Sequence, residues 1–178
     1  MPKDPTRKEI LAWEWYDSRT LGAGTTEVSD LFQNVNDGAG EPVLYYTNIK
    51  AQPFVPVGEI FRVDGISFSP QPDITSLLLA ALLKGVFELR ANDRVMLEIP
   101  LKYIPAAAGF AGFTEKSGAA QPDYPTNQVP LASNRYFLNP PLEIQGGEIV
   151  KASLRWPVAP TAVFFHSSLK GVRVRQGA

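Results

Sequence analysis

His166 is the single histidine of the 178-residue chain, and it bounds most of the acid–base and metal chemistry open to it. A His-rich metal centre needs several imidazoles, so none is expected. A Ser-His-Asp triad would have to use His166. No Gly-x-Ser-x-Gly elbow is present, and no helix begins where such a nucleophile would sit. His166 alternates with Phe164 and Ser168, which is the spacing of one strand face, and no catalytic role is expected of it. Cysteine is absent, which excludes disulfides, thiolate metal sites and cysteine nucleophiles. Gly22, Gly24, Gly109, Gly112, Gly118, Gly146 and Gly147 match neither a phosphate loop nor a dinucleotide fingerprint. No cofactor is expected.

Paired carboxylates could hydrolyse a glycoside. The candidates are Glu59, Asp64, Glu88, Asp93, Glu98 and Glu148. Glu88 and Glu98 fall across a predicted hairpin on its polar face, with Arg90, Arg94 and Lys102 close by. A solvated ion-pair ladder is the better reading of that arrangement. The basic tail Lys170, Arg173 and Arg175 is read first as the solvated outer face of a last strand. Its alternative is electrostatic contact with anionic headgroups or a partner surface. Trp13, Trp15 and Trp156, with several tyrosines, offer platforms for a sugar ring. Trp156 falls on a predicted core face, which weakens a carbohydrate-binding reading.

The elements that must position these residues are mostly strands. Residues 1–24 read as an N-terminal arm, with a short helix from Thr6 to about Trp13. Candidate strands follow at Thr25–Gln33, Val43–Ala51 and Glu59–Ser69. In the last of these the apolar parity switches at Asp64-Gly65, which predicts a β-bulge. Residues 73–84 read as the one helix, capped by Asp73 or Ser76 and closed by Gly85. It is apolar on nearly every side, which predicts burial or packing between units. A hairpin of residues 86–90 and 94–103 comes next, with Pro100 marking an edge strand or a break after Ile99. Residues 105–134 show no convincing period, and loops of that length tend to be functional or disordered. Short strands at 135–138 and 142–145, then 148–156 and 161–175, complete the chain, with a second bulge predicted near Lys170-Gly171. About eight strands with Gly/Pro turns and no repeat predict an all-β, single eight-stranded jelly roll over residues 25–178.

Composition agrees with a folded domain: 44% hydrophobic and 20% charged residues, in a length that buries a real core. A net charge of −1 argues against coating nucleic acid. Absent cysteine, two methionines and sixteen prolines hint at a thermophilic source. No secretory h-region is expected, because Ile10 and Leu11 run straight into Glu14 and Asp17. The most apolar run, Leu77 to Leu83, is about a third of the roughly 20 residues that span a bilayer, so no membrane span is expected.

Several segments carry a family likeness. They are Tyr16-Asp17-Ser18-Arg19-Thr20, Asp30-Leu31-Phe32-Gln33-Asn34, Tyr46-Thr47-Asn48-Ile49 and Phe61-Arg62-Val63-Asp64-Gly65-Ile66. Gly85-Val86-Phe87-Glu88-Leu89-Arg90, Ser133-Asn134-Arg135-Tyr136 and Leu154-Arg155-Trp156-Pro157 follow. In this order the chain resembles the single-jelly-roll major capsid proteins of tailless icosahedral phages with an internal membrane, the Thermus phages among them. The resemblance implies a coat subunit of a virion, made in the host cytoplasm. It would form dimers or higher capsomers and contact a second major capsid protein and the underlying vesicle. The family has no catalytic residues to carry over, so the chain is not expected to be an enzyme. Contacts are expected from Trp13, Trp15 and Tyr16 in the arm and from Leu78 and Leu82 on the helix. Phe110, Phe113 and Tyr124 in the long loop, and Arg173 and Arg175 in the tail, complete that set. The alternatives are a lectin-like carbohydrate-binding sandwich and, third, a glycoside hydrolase.

Overall fold

The computed structural model describes residues 8–32, 55–70, 74–105, 110–114, 124–127, 135–160 and 163–176. The strands are β1 (Lys8–Leu21), β2 (Glu27–Leu31), β3 (Glu59–Pro70), β4 (Val86–Ala91) and β5 (Arg94–Pro100). They continue with β6 (Phe110–Thr114), β7 (Tyr124–Asn127), β8 (Tyr136–Gln145), β9 (Val150–Arg155) and β10 (Val163–Gln176). The helix α1 (Ser76–Leu82) lies between β3 and β4.

Two four-stranded antiparallel sheets stack face to face, in the orders β1-β10-β3-β8 and β2-β9-β4-β5. Among the eight strands of these two sheets, successive ones cross from one sheet to the other except at the β4–β5 hairpin, which is the jelly-roll arrangement. The predicted fold class is therefore the observed one. The interior follows from period-two alternation. Trp15, Phe61, Val63, Ile66, Phe165 and Leu169 come from one sheet, and Phe87, Leu89, Ile99, Ala152 and Leu154 from the other. Phe61, Phe87 and Phe165 are fully buried, and each contributes about 1.5–3 kcal/mol by leaving water.

The first correction concerns the arm. Residues 8–21 are strand β1, paired with β10 from Lys8↔Gln176 to Leu21↔Val163, so Lys8 to Trp13 is strand and not helix. Trp13, Trp15, Asp17, Arg19 and Leu21 alternate onto one face. The charged residues before them disguise that period. Buried Asp17 then ties β1 to the end of β2. Its carboxylate accepts from the Phe32 backbone N–H at 2.8 Å and from Arg19 Nε at 2.9 Å. Phe32 is fully buried at φ 60°, a left-handed conformation that this hydrogen bond helps to hold. Residues 1–7 and the predicted strand Val43–Ala51 lie outside the described residues.

The two expected bulges are one irregularity. Lys170 pairs with Gly65 and Gly171 with Val63, so Asp64 is the extra residue, on β3. The pairing of β10 with β1 runs through this point unbroken. A Cβ on Gly171 would come within 1.9 Å of the Arg62 carbonyl oxygen, which is why only glycine fits opposite the bulge. A further bulge at Met96 sets Leu97 against Leu89 but Val95 against Arg90. Val95 consequently leaves the core face that strict alternation with Leu97 and Ile99 would give it, and is 47% exposed.

Helix α1 is shorter than expected, and Thr75 caps it by accepting from the Leu78 N–H at 3.3 Å. Gly85 does not serve as a left-handed stop. A Cβ there would meet the Trp156 indole at 2.4 Å. That indole donates to the Leu82 carbonyl at 2.8 Å, closing the helix end from the β9–β10 connection. Beyond Pro100 the chain turns through a short 3-10 segment, Leu101–Tyr103, instead of continuing as strand. The predicted loop 105–134 contains the antiparallel pair β6–β7. Residues 135–145, expected as two strands, form one strand that loops out at 138–141 around Pro140-Pro141.

Candidate functional site

Three clusters of polar side chains lie on the sandwich. The first is on the outer face of the β2-β9-β4-β5 sheet. Glu88 and Glu98 stand directly opposite each other on β4 and β5, as the hairpin predicted. Their cations are not the expected Arg94 and Lys102. Arg90 Nε donates to Glu88 at 2.6 Å, and Arg155 from β9 donates to Glu88 at 2.9 Å and to Glu98 at 3.2 Å. Arg94 pairs instead with Glu148, and Lys102 lies over the Tyr103 ring. Glu88 is almost fully buried beneath its arginines. The hydrogen bond from Arg90, outweighing burial, holds its carboxyl below the usual carboxylate range. A glycosidase acid needs the opposite shift, and one guanidinium gripping both carboxylates fills the space where a sugar would sit.

The second cluster crosses the outer face of the other sheet. Cross-strand register aligns Ser18, His166 and Ser69 in one row and Tyr16, Ser168 and Ser67 in the next. Ser18 Oγ and His166 Nδ1 are hydrogen-bonded at 2.9 Å, Ser67 and Ser168 at 2.6 Å, and the Tyr16 ring tilts onto the imidazole. Burial pushes His166 below its ordinary value, and Lys170 adds to this while Glu14 opposes it. A neutral imidazole beside a hydroxyl has the groups of a nucleophilic dyad. The geometry does not suit a nucleophile: Ser18 lies within a paired strand and is buried with Ser67, Ser69 and Ser168, away from any open cleft among the described residues.

The third cluster sits at the mouth of the sandwich, where β1, β10 and β3 outrun the core. Register places Arg173 beside Phe61, on the inward face, and not on the solvated outer face expected of the tail. Its guanidinium lies 4.1 Å from the Trp13 ring centroid and pairs with buried Glu59. Arg175 Nε reaches the same carboxylate at 2.8 Å, and its Nη1 lies 3.6 Å from Glu9. Lys170 pairs with Glu14 at 3.5 Å. The basic tail is thus neutralised within the chain. In the sequence Glu59 stands only as one of six candidate carboxylates, because its cations lie more than a hundred residues away.

The expected contact residues separate accordingly. Trp15 is core, edge-on to Phe61 at 4.7 Å, and Leu82 is fully buried, so neither can meet a partner. Trp13 is half-covered by Arg173, and Tyr16 by its packing on His166. Leu78 is half-buried on α1. Phe110, Phe113 and Tyr124 fall on β6 and β7, a strand pair whose side chains lie outside the described residues. The sequence missed a set of exposed apolar side chains. Leu77 (83% exposed), Tyr103 (58%) and Val158 (75%) belong to the connections β3–β4, β5–β6 and β9–β10. Those connections lie at one end of the sandwich, joined by the Leu101 N–H to the Gly85 carbonyl and by the Trp156 indole N–H to the Leu82 carbonyl. Alternation gives no signal for such residues, because they stand outside the strands.

Among the described residues no group of acidic or histidine side chains could hold a metal ion, and no helix is long and apolar enough to cross a membrane. No protein-family model matches the chain, and no curated protein matches its sequence.

Proposed function

We propose that this chain is a coat subunit that self-assembles, with a second major capsid protein, into the icosahedral shell of an internal-membrane phage. The observation that carries the reading is the apolar-tipped end of the sandwich formed by Leu77, Tyr103 and Val158. Large apolar side chains left in solvent at one end of a sandwich suit contact with another protein. The strand faces, by contrast, use their charged groups on one another, as the ladders of Glu88 and Glu59 do. The family likeness of the sequence and the jelly-roll strand order agree with this role. A lectin-like module finds less support. Trp15 and Trp156 are buried and Trp13 carries Arg173, so none is a bare platform for a sugar. The paired tail arginines also offer little to an anionic headgroup layer.

Light scattering across a concentration series, with electron microscopy of the same samples, tests the reading. Capsomers or particles are expected, and Leu77→Asp combined with Val158→Asp should reduce them while leaving the circular dichroism unchanged. A strict monomer at every concentration counts against the coat role, and specific retention on a glycan array would favour the lectin.

A further inference from the structure

The jelly roll leaves four sheet edges, and three are guarded. Edge strand β2 has five residues. β5 stops at Pro100, and β8 carries Pro140 and Pro141, which have no N–H to offer a neighbour. β1 is different. It runs for 14 residues without a proline, and among the described residues no strand pairs with its outer edge. Its first half, paired on the other side to residues 170–176 of β10, projects past the core. Residues 8–12 are exposed on both faces, Ile10 at 64% and Leu11 at 37%. An open edge with apolar residues on it is a template for another strand.

The charges on this half-strand say which strand. We propose that a second copy of the chain pairs antiparallel with β1 over residues 8–14, with Leu11 facing its own copy on a two-fold axis. In that register Lys8 of each copy stands opposite Glu14 of the other, on the outer face, and Ile10 stands opposite Ala12. Opposite charges directly across an antiparallel pair stabilise it, where like charges would repel. Glu14 already neighbours Lys170, so the second lysine extends an existing ion pair. On the inner face, Glu9 of one copy comes opposite Trp13 of the other. The Trp13 indole N–H is covered yet has no acceptor among the described residues. An isologous contact requires a patch that complements itself, and this one does. The proposal deepens the coat reading and rests on it, by naming the surface through which two subunits join their sheets edge to edge.

The absence of native cysteine makes the register readable by cross-linking. Directly opposed residues in an antiparallel pair have Cα atoms about 4.5–5.5 Å apart, inside the range that a disulfide bridges. Leu11→Cys should therefore oxidise to a covalent dimer, shifting the non-reduced mass from 19.5 kDa to twice that value. Lys8→Cys alone should stay monomeric on the gel, because the two positions 8 would be ~20 Å apart. An equimolar mixture of Lys8→Cys and Glu14→Cys should cross-link. Val57→Cys, on a fully open turn, serves as the collision control. Cross-linking of Leu11→Cys no faster than Val57→Cys overturns the proposal, as does Lys8→Cys pairing with itself as readily as with Glu14→Cys. Light scattering on the unmodified chain separates the two failures. Capsomers without the Leu11 cross-link leave the coat role standing and remove this surface, whereas a strict monomer removes both.

Discussion

His166 sits among hydroxyls, and burial keeps its imidazole neutral at pH values where a free histidine is half-charged. The sign of the resulting pH dependence follows. Above about pH 6.5 neither the folded nor the unfolded state carries the proton, so the contribution of His166 to stability is complete. As pH falls below 6.5, the unfolded chain binds the proton first and stability declines, until the folded-state value is passed. Urea midpoints measured between pH about 8 and about 5 should fall for the wild type and flatten for His166→Asn. Glu88, whose pKa is lowered, contributes a separate loss only below its usual value of 4.5. Gly171 is the other residue with a sharp expectation. Its substitution by alanine drives a Cβ into the Arg62 carbonyl and should cost about 3 kcal/mol, read as a drop in urea midpoint.

At the level of elements, the charged ladder is a cross-strand unit and not a site. Glu88→Gln should cost about 2 kcal/mol, because a nearly buried carboxylate loses charge-assisted bonds to Arg90 and Arg155. Glu98→Gln should change stability by no more than about 0.5 kcal/mol, since Glu98 is half in solvent. Denaturant titration of both variants checks the contrast. The hairpin that creates this ladder was legible in the sequence, because Ala91-Asn92-Asp93 separates two alternating runs. Its third strand was not: Arg155 reaches Glu88 only across a sequence separation of 67 residues. The same holds for β1. Its residues alternate, but the short apolar half and the charged half look like an arm until β10 pairs with both.

Across the whole molecule, nearly all sheet pairings join distant segments, β1 with β10 most of all. Loop closure must precede most of the favourable contacts, so refolding should be slow, on the order of milliseconds to seconds. Both sheets share one core, so far-UV circular dichroism and tryptophan fluorescence should report a single coincident urea transition. Separate transitions would mean that the two sheets fold independently.

Alternation, turn residues and the census of reactive side chains are local properties. They were enough to specify an all-β jelly roll, the bulge at Asp64, the β4–β5 hairpin and the expectation that no triad, thiolate or phosphate loop would be found. Which cation neutralises which carboxylate is decided by sheet order, which no short window of sequence encodes. Glu59 and Arg173 meet only because β3 and β10 are neighbours, and that meeting moves the basic tail from outer surface to inward face. The same geometry pairs one edge of the expected arm with β10 and, among the described residues, leaves its other edge open. The physical reason is that strand side chains signal burial through their own spacing, whereas pairing partners are selected by closure of the whole sandwich.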